Sequence, residues 1–185
     1  MSTPEIKAAL AALKSSGQAF VFAPTWDDKA RHSIAIAIAR ELKPRITVLL
    51  AAAWSDLRPL LRAWQEAGVA ERAWYVAVDV AGDTQQDISP ATLGCMVTTS
   101  ATALAVFLGS AAAETVLIKV IILATYPSAA AAGDGLKLAG QRAQLGIFDE
   151  AHRSPTGDET IVSAATDACA LPIDRRVYLT EDFPV

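Results

Sequence analysis

The sequence predicts an α/β domain, a three-layer αβα sandwich with a mostly parallel central sheet, and three observations carry that prediction. Runs of strand length that are apolar at almost every position, such as QAFVFA (18–23), ITVLLAA (46–52) and KVIILATY (119–126), suit strands buried on both faces. Stretches of helical length alternate with these runs, as strand–helix–strand crossovers require. The chain of 185 residues, 52% hydrophobic, is long enough for one sizeable core and fits one domain spanning residues 1–185.

The elements follow in order. MSTPEIKAALAALKSSG reads as an amphipathic helix starting near Thr3 or Pro4, with a hydroxyl cap and a proline in its first turn. The strand at 18–23 precedes a helix over about 29–42, and the strand at 46–52 precedes one over about 55–67. AWYVAV (73–78) and GCMVTT (94–99) are further strands, and a helix runs through ATALAVFLG (101–109). After the strand at 119–126 come an alanine-rich helix, a strand LGIFDEA (145–151), a short helix near 158–168 and a last strand RRVYLT (175–180).

Composition excludes several function classes. A net charge of −4 gives no global attraction to nucleic acid or to anionic membranes, so such contact would need a local basic patch. Between Arg72 and Lys137 the one basic residue is Lys119, so no strong patch is expected and duplex DNA should bind weakly and nonspecifically at best. The N-terminus lacks a basic-then-apolar leader, and the weakly polar run from Ala101 to Ala113 falls short of the roughly 20 residues needed to span a bilayer. A cytoplasmic protein with no membrane partner is the expectation. Cys95 and Cys169 lack the paired spacing of a zinc or redox site and read as two buried free thiols. With His32 and His152 as the two histidines and no nucleophile elbow, a hydrolase triad has few candidates. Trp54, Trp64 and Trp74 read as packing residues, because no basic groove interleaves with them.

In a parallel sheet, ligands bind at the carboxyl ends of the strands, which directs attention to four segments. These are APTWDDKAR after the first strand, ATYPSA after the strand at 119, DEAHR (Asp149 to Arg153), and LTEDFP (Leu179 to Pro184). With these residues in place, nearly the whole chain resembles the first RecA-like motor domain of superfamily 2 helicases, most closely the DEAH-type helicases of restriction and phage-associated systems. GIFDEAHRSPTG is similar to that family's Walker B segment, RRVYLTEDFP to its third motif, and VLLAAAWSDLRPLLRAWQ and VIILATYPSA to segments that touch the nucleic-acid backbone. The resemblance implies that Asp149 holds magnesium and Glu150 orients the attacking water, with Mg-ATP as the cofactor. It likewise implies that Ala23, Pro24, Thr25 and Lys29 are what remains of the nucleotide-binding loop, and that His152 couples the tetrad to other motifs.

The departures fall where the chemistry is most demanding. In a loop of the form A-x-T-G-x-G-K-T, glycines let backbone N–H groups face phosphates at a helix N-terminus. Here Trp26 and Asp28 occupy the two glycine positions, Asp27 lies between them, and Ala30 stands where a hydroxyl would bind magnesium. A side chain forced into such a backbone costs on the order of 1–3 kcal/mol. A carboxylate about 4 Å from a phosphate charge adds roughly 4 kcal/mol at an effective dielectric near 20. Glu181 and Asp182 similarly place acid where the third motif has small neutral residues. The expectation is a disabled phosphate loop, with restoration of glycine at 26 and 28 and threonine at 30 recovering nucleotide binding.

Three functional readings remain open. The first is a non-catalytic RecA-like scaffold or binding module, natural or engineered, with Lys29 paired to Asp27, Asp28 or Asp149. The second is an ATP-binding motor domain of a DNA helicase or translocase. Because the family's ATP sites are completed by arginines of a second RecA-like domain, this reading expects a partner domain and no unwinding by the isolated chain. The third is a magnesium pocket lined by Asp27, Asp28, Asp149, Glu150 and Asp182.

Overall fold

A computed structural model describes residues 3–22, 28–69, 73–79, 93–114, 117–149 and 169–180. Within them α1 is Pro4–Ser15, β1 Gln18–Phe22, α2 Asp28–Leu42, β2 Ile46–Ala51, α3 Trp54–Glu66, β3 Ala73–Val78 and β4 Met96–Thr98. The second half continues with α4 Ala101–Ala113, β5 Lys119–Thr125, a 3₁₀ turn Tyr126–Ser128, α5 Ala129–Leu138, β6 Leu145–Asp149 and β7 Arg176–Thr180. The expected helix near 158–168 lies outside the described residues.

The seven strands form one sheet in the order β1-β7-β6-β2-β5-β3-β4, and every pairing is parallel. The chain moves from β1 through β2 to β3 in one direction along the sheet and returns through β5 and β6 to β7. Right-handed crossovers therefore send the helices of the two passes to opposite faces. One core packs α1, α2 and α3 against Leu49, Ala51, Leu123 and Ile147, and the other packs α4 and α5 against Val48, Leu50, Ile122 and Phe148. The alternation of neighbours such as Val48 and Leu49 is the pleat of a strand covered on both sides, which is why β2 is apolar nearly throughout.

Local chemistry sets the ends of the elements. Pro4 opens α1 with Glu5 in its first turn, and Ser100 caps α4 by accepting the Ala103 amide at 3.4 Å. Gly17, with φ of 74°, turns the chain from α1 into β1 in a conformation that costs other residues strain. Inside α5, a Cβ on Gly133 would stand 2.0 Å from the Ala170 carbonyl oxygen, so only glycine lets this helix meet the 169–171 segment. Pro59 sits within α3, so the Ser55 carbonyl has no helical amide to accept from at that turn.

The tryptophans behave as packing residues. Trp54 and Trp64 are fully buried, and Trp74 packs on Phe107 with ring centroids 5.5 Å apart. The thiols differ from expectation: Cys169 is exposed and Cys95 half-buried. Cys95 lies beside a three-residue edge strand that provides little cover, and Cys169 lies in a turn, so an apolar sequence context did not translate into burial. Partial burial still pushes the Cys95 thiol above its ordinary value. Among the described residues no helix is long and apolar enough to cross a membrane.

Candidate functional site

Because all strands run in one direction, their carboxyl ends share one edge of the sheet. Asp149, the last residue of β6, stands there between β7 and β2, and its side chain is only 2% exposed. The first turns of α2 reach the same place from the end of β1. Arg31 Nε lies 3.6 Å from Asp149 Oδ1, and His32 Nε2 lies 3.4 Å from Oδ2, with both residues buried. These separations make ion-pair contacts rather than well-formed hydrogen bonds. Arg31 is always charged, whereas His32 adds a full charge only when protonated. From the strand β5 side, the Tyr126 hydroxyl donates to the Asp149 backbone carbonyl at 2.8 Å, which fixes the strand end from which the carboxylate projects. Asp149 Oδ1 accepts no hydrogen bond among the described residues.

The predicted site residues fare differently. Asp149 is at the sheet edge as expected. Lys29 is at the start of α2 as expected, but it is exposed and does not pair with Asp149, whose ion-pair partners among the described residues are Arg31 and His32. The reason is helical geometry: two residues along a helix is about 200° of rotation, so Lys29 and Arg31 face opposite ways. Ala23, Pro24, Thr25 and Glu150 lie outside the described residues, as do Trp26, Asp27, His152, Glu181 and Asp182. The carboxylate cluster of the magnesium reading falls mostly among them. Within the described residues, no group of three or more His, Cys, Asp or Glu side chains is placed to hold a metal.

Two features escaped the sequence reading. The first is the Arg31–His32 pair, whose signal was a basic dipeptide in the first turn of the helix that follows the loop. The second is a groove of about 890 Å³ between α2 and α3, lined by Lys29 and Arg40 from one helix and by Arg58 and Arg62 from the other. This is a local basic patch where none was expected. Its cations are dispersed over 34 positions of sequence and gather only because the two helices pack side by side.

The magnesium that the resemblance implies does not fit these residues. Magnesium dehydrates reluctantly, keeps several waters and meets one or two carboxylates in an octahedral shell. Asp149 is instead buried and faced by a guanidinium and an imidazole. A unit charge about 4 Å from a divalent ion costs on the order of 8 kcal/mol at an effective dielectric near 20, so a cation at the Arg31 position opposes the metal strongly.

No family model matches the sequence, and no curated protein matches it. Among solved structures, the chain is similar to a nuclease-deletion mutant of the Type ISP restriction-modification enzyme LlaGI in complex with a DNA substrate mimic. The TM-score is 0.72 at 20% identity, covering 98% of this chain and 17% of that one. At this identity the likeness shows the fold alone, an all-parallel sheet covered by helices on both faces. The chain spans about one sixth of the length of the protein it matches.

Proposed function

We propose that this chain is a helicase-like RecA domain with a disabled nucleotide site, acting as a non-catalytic scaffold or binding module that works beside further domains. The observation that carries this reading is the environment of Asp149, buried and faced by the Arg31 guanidinium and the His32 imidazole where a catalytic domain would keep a carboxylate open to hydrated magnesium. The loop residues point the same way, since Trp26, Asp28 and Ala30 remove the two glycines and the hydroxyl that phosphate and magnesium need. Lys29, one of the four residues that remain of the nucleotide-binding loop by resemblance, lies on the outward side of α2 and lines the groove. The similar structure is a small part of a larger DNA-bound enzyme, which supports a role among partner domains.

A second reading has one observation in its favour. Asp149 Oδ1 accepts no hydrogen bond among the described residues, as a carboxylate reserved for a metal would. The ATP-binding motor reading, with Glu150 orienting water, and the magnesium-pocket reading both draw on that oxygen.

Titration with Mg-ATP separates the readings. The triple variant Trp26→Gly, Asp28→Gly, Ala30→Thr repairs the loop but leaves Asp149 held, and it is expected to bind weakly. Adding Arg31→Ser and His32→Ser is expected to tighten binding by at least about tenfold, which corresponds to 1.4 kcal/mol. If loop repair alone gives full affinity and the further changes add nothing, Arg31 and His32 do not close the site.

A further inference from the structure

The groove between α2 and α3 lies apart from Asp149, although Lys29 belongs by resemblance to the nucleotide loop and Arg58 and Arg62 to a segment that touches nucleic acid in the similar family. Its walls carry four cations, Lys29, Arg40, Arg58 and Arg62, against one acid, Glu66. Lys29 and Arg62 are exposed, and neither side chain forms an ion pair or hydrogen bond with a described residue. Arg40 donates to the Ala67 carbonyl at the end of α3 and so ties the two helices together at the groove's far end. The lining also includes the apolar Ile36, Pro59 and Ala63, together with Ser33 and Ser55. Positive charge gathered on one face of a chain whose net charge is −4 marks a surface for an anionic partner.

We propose that this groove binds an acidic amphipathic helix of a partner polypeptide. Three observations favour that occupant over nucleic acid. The accessible apolar side chains of Pro59 and Ala63 in the lining can take the apolar face of a helix laid in the groove, whereas a phosphodiester backbone offers nothing to them. No aromatic side chain lines the groove among its described residues, so bases would have no stacking platform. From Lys29 to Arg40, α2 advances about 16 Å, the length of three helical turns, while a longer polyanion would run onto the net-negative remainder of the surface. The carboxylates of the partner would meet the exposed Lys29 and Arg62, and its apolar residues would lie on Pro59 and Ala63. This proposal does not depend on whether the Asp149 site binds nucleotide.

Fluorescence anisotropy tests it with the whole chain and three probes: a labelled helical peptide of about 12 residues with Glu and Leu at helical spacing, its twin with Gln for every Glu, and an oligothymidylate of similar length. The acidic peptide is expected to bind, to weaken as salt rises, and to outbind both other probes by about tenfold or more. Arg62→Glu, on an exposed position, is expected to fold normally by circular dichroism and to lose binding by about tenfold, with a Lys-for-Glu peptide restoring part of it. Equal binding of the acidic and Gln peptides, or no effect of Arg62→Glu, overturns the proposal. Preferential binding of the oligothymidylate overturns it in favour of a nucleic-acid surface.

Discussion

The two faces of α2 treat positive charge in opposite ways. On the inner face Arg31 and His32 are buried against Asp149 at the edge of the sheet, while on the outer face Lys29 stands exposed in a groove with Arg58 and Arg62. A buried charge must keep its counter-charge, because removing one partner leaves the other in a medium that cannot solvate it. An exposed charge is solvated in any case and stays available to something else. Cations two or three residues apart on one helix thus serve structure on one side and, in our reading, recognition on the other.

The largest test of this contrast is Asp149→Ala. It removes the carboxylate that faces a buried guanidinium and is expected to cost about 3 kcal/mol in urea unfolding. A cost below about 1 kcal/mol would mean that the Arg31 and His32 contacts are incidental. Tyr126→Phe is a smaller perturbation of the same end, deleting the hydroxyl that donates to the Asp149 carbonyl, and is expected to cost about 1 kcal/mol. Arg62→Ala should change stability by no more than about 0.5 kcal/mol, since an exposed side chain with no ion pair to a described residue has little to lose. Should Arg62→Ala prove as costly as Asp149→Ala, the distinction between the two faces fails.

The fold was legible because its signals are local. Apolar runs such as ITVLLAA and KVIILATY, separated by helical stretches, specify a parallel sheet covered on both faces, and the first three described helices begin within a residue or two of where periodicity places them. The Asp149 end of β6 was legible for the same reason, since a carboxylate directly after a buried strand falls at the sheet edge. What surrounds Asp149 was not legible. Arg31 and His32 reach it from a helix more than a hundred residues earlier in the chain, through an order of strands that periodicity does not encode. The basic groove was missed by counting cations along the sequence, which registered the depletion between Arg72 and Lys137 but not the convergence of Lys29 and Arg40 with Arg58 and Arg62 across a helix pair. The thiols erred the other way, because apolar neighbours in sequence place a cysteine in the core only if the element that carries it is itself covered.

The most direct test of the central claim, that Asp149 is committed to Arg31 and His32 rather than to magnesium and nucleotide, is the thermal melting of the unaltered protein with and without millimolar Mg-ATP. A ligand stabilises the folded state by RT ln(1 + [L]/Kd), so a site that does not bind gives no shift. The account predicts coincident melting curves. A rise of several degrees that disappears in Lys29→Ala or Asp149→Asn would contradict it and establish a working nucleotide site.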